Sequence, residues 1–237
     1  MDLKEREALG ESADAHWYYQ SKARMLASHL DRPVRHVLDV GAGLGWFSRW
    51  MLENGHAETA TCVDPGYEAD WDEEVAGRTL HFRRRVEKSD ADLVLMMDVL
   101  EHVDDDAGLV AEYAQLVAPG TPLFATVPAF EFLWSAHDDY LDHRRRYTVP
   151  RLRAALAAGG VTPERSHYYF ASIFPAAFAV RMIRRKAEAG RSDMRPAGAL
   201  ANRVLEAVCR LERAWMRMNG IGGLTAVALC RTGGTAA

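Results

Sequence analysis

Cysteine is scarce in this chain. Of 237 residues, Cys62, Cys209 and Cys230 alone carry a thiol, and no two stand in a C-x-x-C pair. That argues against a disulfide framework or a thiolate zinc site and predicts reduced, buried thiols in a cytoplasmic protein. Long apolar runs are missing too. The longest, Tyr168–Val180, covers thirteen residues and is interrupted by Pro175, whereas a spanning helix needs about 20. The opening MDLKEREALGESADAHWYYQ is polar and charged, without the apolar centre of a secretion signal. Stable membrane insertion is therefore not expected. An excess of charge of one sign is also lacking: 29 Lys and Arg face 33 Asp and Glu, for a net charge of −4. Nucleic acid is a poor partner for such a surface. The sequence holds no internal repeat, no G-x-G-x-x-G turn and no Gly-Lys-Ser/Thr of a phosphate loop.

What is present suits one α/β domain with an added cap: 49% hydrophobic and 26% charged residues in a chain of ordinary domain length. Helical spacing runs over Ala13–Leu30, and a short apolar strand over Val34–Val40. A glycine turn at Gly41–Gly45 then opens a helix, Trp46–Asn54. Strands are predicted at Thr59–Val63, Thr79–Arg83, Ala91–Met97 and Pro122–Val127, with a helix at Asp104–Val117. This βαβ order predicts a parallel sheet with helices on both faces. Pro128–Thr148 reads as a loop with a short helix, followed by a helix at Pro150–Ala158 and a strand at Thr162–Phe170. Helices at Phe174–Ala189 and Ala199–Met218, joined by a basic linker at Gly190–Pro196, precede a last strand, Leu224–Arg231, and a frayed tail. The chain is thus expected to be one domain, 1–237. Residues 1–32 form a lid helix, 33–127 a cofactor-binding half and 128–237 a substrate-binding half with a helical insertion at about 174–218.

The glycine turn carries the first chemistry. Gly41, Gly43 and Gly45 allow a sharp backbone turn and close approach of a ligand, and the helix behind them offers free N–H groups. Asp64 closes the next strand, nineteen residues after Gly45, where an acidic side chain can accept both ribose hydroxyls of an adenosine ligand. The third glycine comes one residue too early for a dinucleotide turn. Asp39, just before the turn, would repel a pyrophosphate and suits a positive group, such as the amino end of a methionine moiety. Together these features favour S-adenosylmethionine over NAD.

The segments HVLDVGAGLGWFSRW, TATCVDPG and ADLVLMMDVLEHVDDD resemble the class I, Rossmann-like S-adenosylmethionine-dependent methyltransferases. The D-V-L-E-H stretch resembles their type 11/12-like subgroup in particular. The resemblance spans roughly Val34–Val127. It implies an α/β fold with a seven-stranded mixed sheet whose last strand is antiparallel, a methyl-transfer activity and S-adenosylhomocysteine as product, with no metal. Carried over, Asp39, Gly41, Ala42 and Gly43 would hold the methionine end, Asp64 with Pro65 the ribose, and Asp98, Val99 and His102 the pocket after the fourth strand. The acidic adenine contact of the family has no clear counterpart in RRRVEKSD, which leaves Arg85, Val86 or Glu87. A helix like the N-terminal one lies over the cofactor in similar enzymes. Tyr18 or Tyr19 could contact donor or substrate there, and Lys22 or Arg24 the donor carboxylate.

The acceptor end is read from VPAFEFLWSAHDDYLDHRRRYT, at the carboxyl edge of the sheet. His137, Asp138, His143, Arg144, Arg145, Arg146 and Tyr147 lie here. They resemble an H-D…H-x-R-R-Y pattern in bacterial methyltransferases of natural-product and envelope glycolipid pathways. One reading is an acceptor site in which arginines grip an anion by forked hydrogen bonds. The other is a charge run that pairs with nearby aspartates. His102, His137 and His143 are the candidate general bases. The acceptor is expected to be a small molecule, acidic or hydroxyl-bearing. Rival readings are a lipid-linked acceptor met through the basic, apolar segment Phe174–Lys186, and a catalytically inactive regulatory protein. A homodimer is compatible with the sequence.

Overall fold

The computed structural model describes residues 14–184 and 198–233. The expected Gly190–Pro196 linker, the helix beyond residue 184 and the tail beyond residue 233 lie outside them. In chain order the elements are α1 (Trp17–Ser28), β1 (Val34–Val40), α2 (Trp46–Glu53), β2 (Ala57–Val63), β3 (Trp71–Val75), β4 (Arg78–Arg83), β5 (Leu93–Met97), α3 (Asp106–Ala114) and β6 (Pro122–Pro128). Then come α4 (Ala136–Tyr140), α5 (Val149–Ala158), β7 (Thr162–Tyr169), α6 (Phe174–Arg184), α7 (Ala199–Glu212) and β8 (Thr225–Arg231).

The eight strands form one sheet in the order β3-β4-β2-β1-β5-β6-β8-β7. From β4 to β6 the pairing is parallel, and β8 runs antiparallel between β6 and β7. The sequence predicts seven strands; the structure adds β3, an edge strand of composition WDEEV. Its polar residues hide it from a search for apolar runs. Ala76 and Gly77 both take positive φ, 52° and 73°, the two-residue turn that matches the twist of a tight hairpin. Trp71 stacks flat on Phe82 at 4.2 Å between ring centroids and covers one face of β4.

Alternation sorts the side chains into two cores. On β5, Leu93, Leu95 and Met97 join the core that includes α1, α2 and Cys209 of α7. Val94 and Met96 join the core under α3 and α5. Both faces of β5 are covered, which is why its sequence, LVLMM, is wholly apolar. Cys62, Cys209 and Cys230 are buried free thiols. Among the described residues no helix is long and apolar enough to cross a membrane.

The chain order reverses between β1 and β5: β2 lies on one side of β1 and β6 on the far side of β5. In open α/β sheets such a switch point opens a crevice at the carboxyl ends of the strands. Gly41, Asp64, Asp98 and Pro128, at or just past the carboxyl ends of β1, β2, β5 and β6, all line one cavity.

Candidate functional site

The cavity measures about 610 Å³. Its floor is the glycine turn. Gly41 (φ 63°) and Gly43 (φ 52°) take the left-handed conformation that glycine adopts without strain. A Cβ on Gly41 would stand 2.7 Å from the Val99 side chain, so the turn after β1 packs directly on the turn after β5. Gly45 (φ 66°) plays a packing role instead, because a Cβ there would meet Cys62 Sγ at 2.9 Å and Phe82 at 3.0 Å.

Asp64 lines the floor and braces the turn. Its Oδ2 accepts from the Gly43 amide at 3.1 Å and its Oδ1 from the Gly66 amide at 2.9 Å. Each oxygen retains a second lone-pair direction for a ligand hydroxyl. Tyr67 donates to the Gly43 carbonyl at 2.6 Å and closes the turn from outside. Pro65 is exposed and Ala42 is packed in the core; neither lines the cavity.

Asp39 lies behind the turn rather than in the cavity. It is 2% exposed and accepts from Ser48 Oγ at 2.8 Å. Burial raises its pKa to about 6, against the opposing pull of the Ser48 hydrogen bond. Because the folded pKa lies above the unfolded value, the charged carboxylate costs stability above about pH 6. That cost is relieved as pH falls from there toward the unfolded value. Asp39→Asn should therefore stabilise the ligand-free protein by about 2 kcal/mol at neutral pH. The gain should shrink toward pH 4 in urea denaturation of variant against wild type. An equal gain at both pH values would refute the buried charge as its source.

The α1 wall brings Trp17, Tyr18 and Tyr19 to the cavity. Tyr18 stacks on Phe170 at 5.1 Å. The ammonium of Lys22 is wholly buried and pairs with Asp98, the first residue after β5. Burial alone would lower the Lys22 pKa, but the Asp98 carboxylate outweighs it and holds the lysine charged. Asp98 also accepts from Thr126 Oγ1 at 3.2 Å and takes a positive φ of 58°. Arg24, expected near the donor carboxylate, points elsewhere: it bonds Glu206 on α7 at 3.0 Å, 41% exposed, and does not line the cavity. Four residues separate Tyr18 from Lys22, one helical turn, whereas Arg24 lies on another face. Of the adenine candidates, Arg85 and Glu87 are exposed and Val86 packs against the second core; none lines the cavity.

The cavity lining also has a polar part. Glu101 and His102 sit on the short 3-10 turn Leu100–His102 that follows β5. His137 on α4 and His143 beyond it reach the same cavity. The His102 and His143 rings meet edge to face at 4.8 Å. The arginine triplet, expected to grip an anion, is largely spent on the protein itself. Arg144 bonds Asp104 at 2.6 Å and the His102 carbonyl at 2.8 Å. Arg145 bonds the Asp104 carbonyl at 2.9 Å and lies 3.5 Å from Asp106. Neither lines the cavity, and nor does Tyr147, which is fully buried and donates to Asp106 at 2.7 Å. The charge-pairing reading of Arg144 and Arg145 is the one the geometry supports. These residues fasten the 143–147 segment to the 100–106 segment.

Arg146 does reach the cavity, but its fork grips Asp138, at 2.7 and 2.9 Å. Asp138 is fully buried and also accepts from His143 Nδ1 at 2.9 Å. Burial would push its carboxyl up; the His143 and Arg146 hydrogen bonds and the guanidinium charge overcome this and hold it well below the usual range. Asp138 is thus a positioning residue for His143 and does not itself line the cavity. A further side wall comes from Ile173 and from Ala176, Ala177, Val180 and Arg181 on α6, in or beside the segment Phe174–Lys186 that the sequence offers as a contact for a lipid-linked acceptor.

A family model described as a methyltransferase domain matches residues 15–166 of the chain. The ubiquinone biosynthesis O-methyltransferase of Hahella chejuensis is 31% identical over 101 residues, which cover 39% of this chain and 42% of that protein. The match thus spans less than half of that relative's length. An S-adenosylmethionine dependent methyltransferase from Mesorhizobium loti has the same fold, with a TM-score of 0.51 at 17% identity over 89% of this chain and 97% of that one. The N-methyltransferase NodS from Bradyrhizobium japonicum WM9, solved with S-adenosyl-L-homocysteine, superposes with a TM-score of 0.52 at 12% identity over 94% and 91% of the two chains.

Proposed function

Because the chain belongs to the methyltransferase-domain family, we propose that it transfers the methyl group of S-adenosylmethionine to a hydroxyl oxygen of a largely apolar small molecule. One observation carries this reading. A single cavity is lined by the glycine turn with Asp64, by the histidines His102, His137 and His143, and by apolar side chains of α1 and α6. When bound, S-adenosylmethionine supplies a methyl group already activated by its sulfonium sulfur.

The chain's own work is then to bind, align and exclude water. Gly41, Gly43 and Asp64 hold the donor's adenosine and methionine parts, and Asp39 supplies negative charge behind the turn for the methionine ammonium. Tyr18, with Trp17 beside it, closes the α1 side. Val99, wedged on Gly41, keeps the two turns in register. His102 and His143 line the cavity where the acceptor hydroxyl would lie.

An acceptor held as an anion by Arg144–Arg146 has less support, since these guanidiniums already bond Asp104, Asp106 and Asp138. Incubation with S-adenosylmethionine and a panel of phenols, alcohols, amines and carboxylic acids tests the reading. S-Adenosylhomocysteine should form with phenols or alcohols, and the product should carry a methoxy group by mass and NMR. Turnover confined to amines or carboxylic acids would refute hydroxyl methylation, and absence of donor binding by calorimetry would refute the enzyme class.

A further inference from the structure

We propose that Glu101, His102 and His143 form a binding site for one divalent first-row transition-metal ion, facing the acceptor end of the cavity. Each residue offers one ligand atom, and these atoms all lie within 4.8 Å of one another. All three residues line the cavity. Ligands around a cation at about 2.1 Å stand about 3–3.5 Å apart. Drawing the set in from 4.8 Å to that spacing takes side-chain movement of about an ångström. Two histidines and one carboxylate on one side of an ion leave the remaining positions open toward the cavity.

The surroundings prepare this set. His143 Nδ1 is bound to Asp138 Oδ1 at 2.9 Å, so Nε2 is the ring nitrogen left for the cavity. An imidazole tied through its other nitrogen to a carboxylate is the common support of a metal-bound histidine. Asp138 is itself held by the Arg146 fork, which also offsets that nearby guanidinium charge. The two halves of the site are joined by backbone: the Arg144 amide donates to the Glu101 carbonyl at 2.8 Å, and Arg144 Nε donates to the His102 carbonyl at 2.8 Å. The H-x-R-R-Y segment thus clamps His143 against Glu101 and His102. The carboxylate of Glu101 is fully buried, where its charge is favoured by a cation.

The site takes an acceptor bearing a hydroxyl, or a hydroxyl beside a second oxygen. Bound to the ion, the hydroxyl loses its proton to solvent more readily and its oxygen keeps both electrons of the O–H bond. This role rests on the methyl-transfer reading; the binding of the ion does not. The test is made on the full chain after dialysis against chelator, by titrating Co²⁺ and following its visible absorption and heat of binding. One Co²⁺ per chain should bind, with absorption bands typical of nitrogen and oxygen ligands. His143→Asn and Glu101→Gln should each weaken binding by about 100-fold or more, at least the loss expected for a supporting partner of a ligand, while S-adenosylhomocysteine affinity, measured in parallel, stays within about twofold of wild type and reports that each variant is folded. Absence of stoichiometric Co²⁺ binding, or unchanged binding in both variants, would overturn the site. Normal Co²⁺ binding with no S-adenosylhomocysteine binding would leave the site standing and overturn the methyl-transfer reading.

Discussion

Asp64→Ala is expected to weaken S-adenosylmethionine binding by at least about 100-fold, near 3 kcal/mol. Two losses add up at this residue. The ligand loses an acceptor for its ribose hydroxyls, and hydrogen bonds to a charged group contribute about 1.5–3 kcal/mol. The floor itself also loses its brace, because the Gly43 and Gly66 amides both donate to this carboxylate. Asp64→Asn separates the two contributions. The amide keeps one acceptor oxygen, so part of the turn survives, and affinity should fall less than in the alanine variant. Calorimetry with S-adenosylmethionine and S-adenosylhomocysteine reads both. An alanine variant that binds like wild type would remove Asp64 from the donor site.

Arg146→Met is expected to destabilise the protein by about 3–5 kcal/mol. It deletes one partner of a buried ion pair and leaves the Asp138 charge uncompensated. Arg146 is 3% exposed and Asp138 fully buried. Arg146 also donates to the Ala129 carbonyl at 3.0 Å, which the thioether of methionine cannot replace. The sign of the pH dependence follows from the depressed carboxyl. Asp138 contributes stability above its unfolded pKa and loses it as pH falls through and below that value. In the variant the carboxyl rises, so protonation relieves the strain at a higher pH. The difference between wild type and variant should be largest near neutral pH and should narrow toward about pH 4. Urea denaturation at the two pH values measures it. A change below about 1 kcal/mol at neutral pH would show that the fork does not hold this segment.

Much of the fold is legible along the chain because it follows local patterns. Val34–Val40 and LVLMM read as strands because apolar runs bounded by polar turns suit a sheet covered on both faces. Asp64 is legible from its place at the end of the strand after the glycine turn. β3 is not legible, because an exposed edge strand of polar residues has no apolar run; pairing with β4 and the Ala76-Gly77 turn make it a strand. At the site, Gly41, Gly43, Asp98, Val99 and His102 reach the cavity as their strand-end positions imply. Arg24, Arg144, Arg145 and Tyr147 do not, and no local rule separates Arg144 and Arg145 from Arg146, which does.

The sequence alone located seven of the eight strands and the glycine turn, since each shows in a short run of neighbouring residues; the order of the strands, and with it the switch point, came from pairing between distant segments. Only the tertiary structure decided what each charge does. An arginine bonds whichever carboxylate the fold brings within about 3 Å, and Asp104, Asp106 and Asp138 reach the triplet before any ligand can. The same folding brings His143 to Glu101 and His102, about forty positions earlier in the chain, because the segment after β6 crosses back over the end of β5.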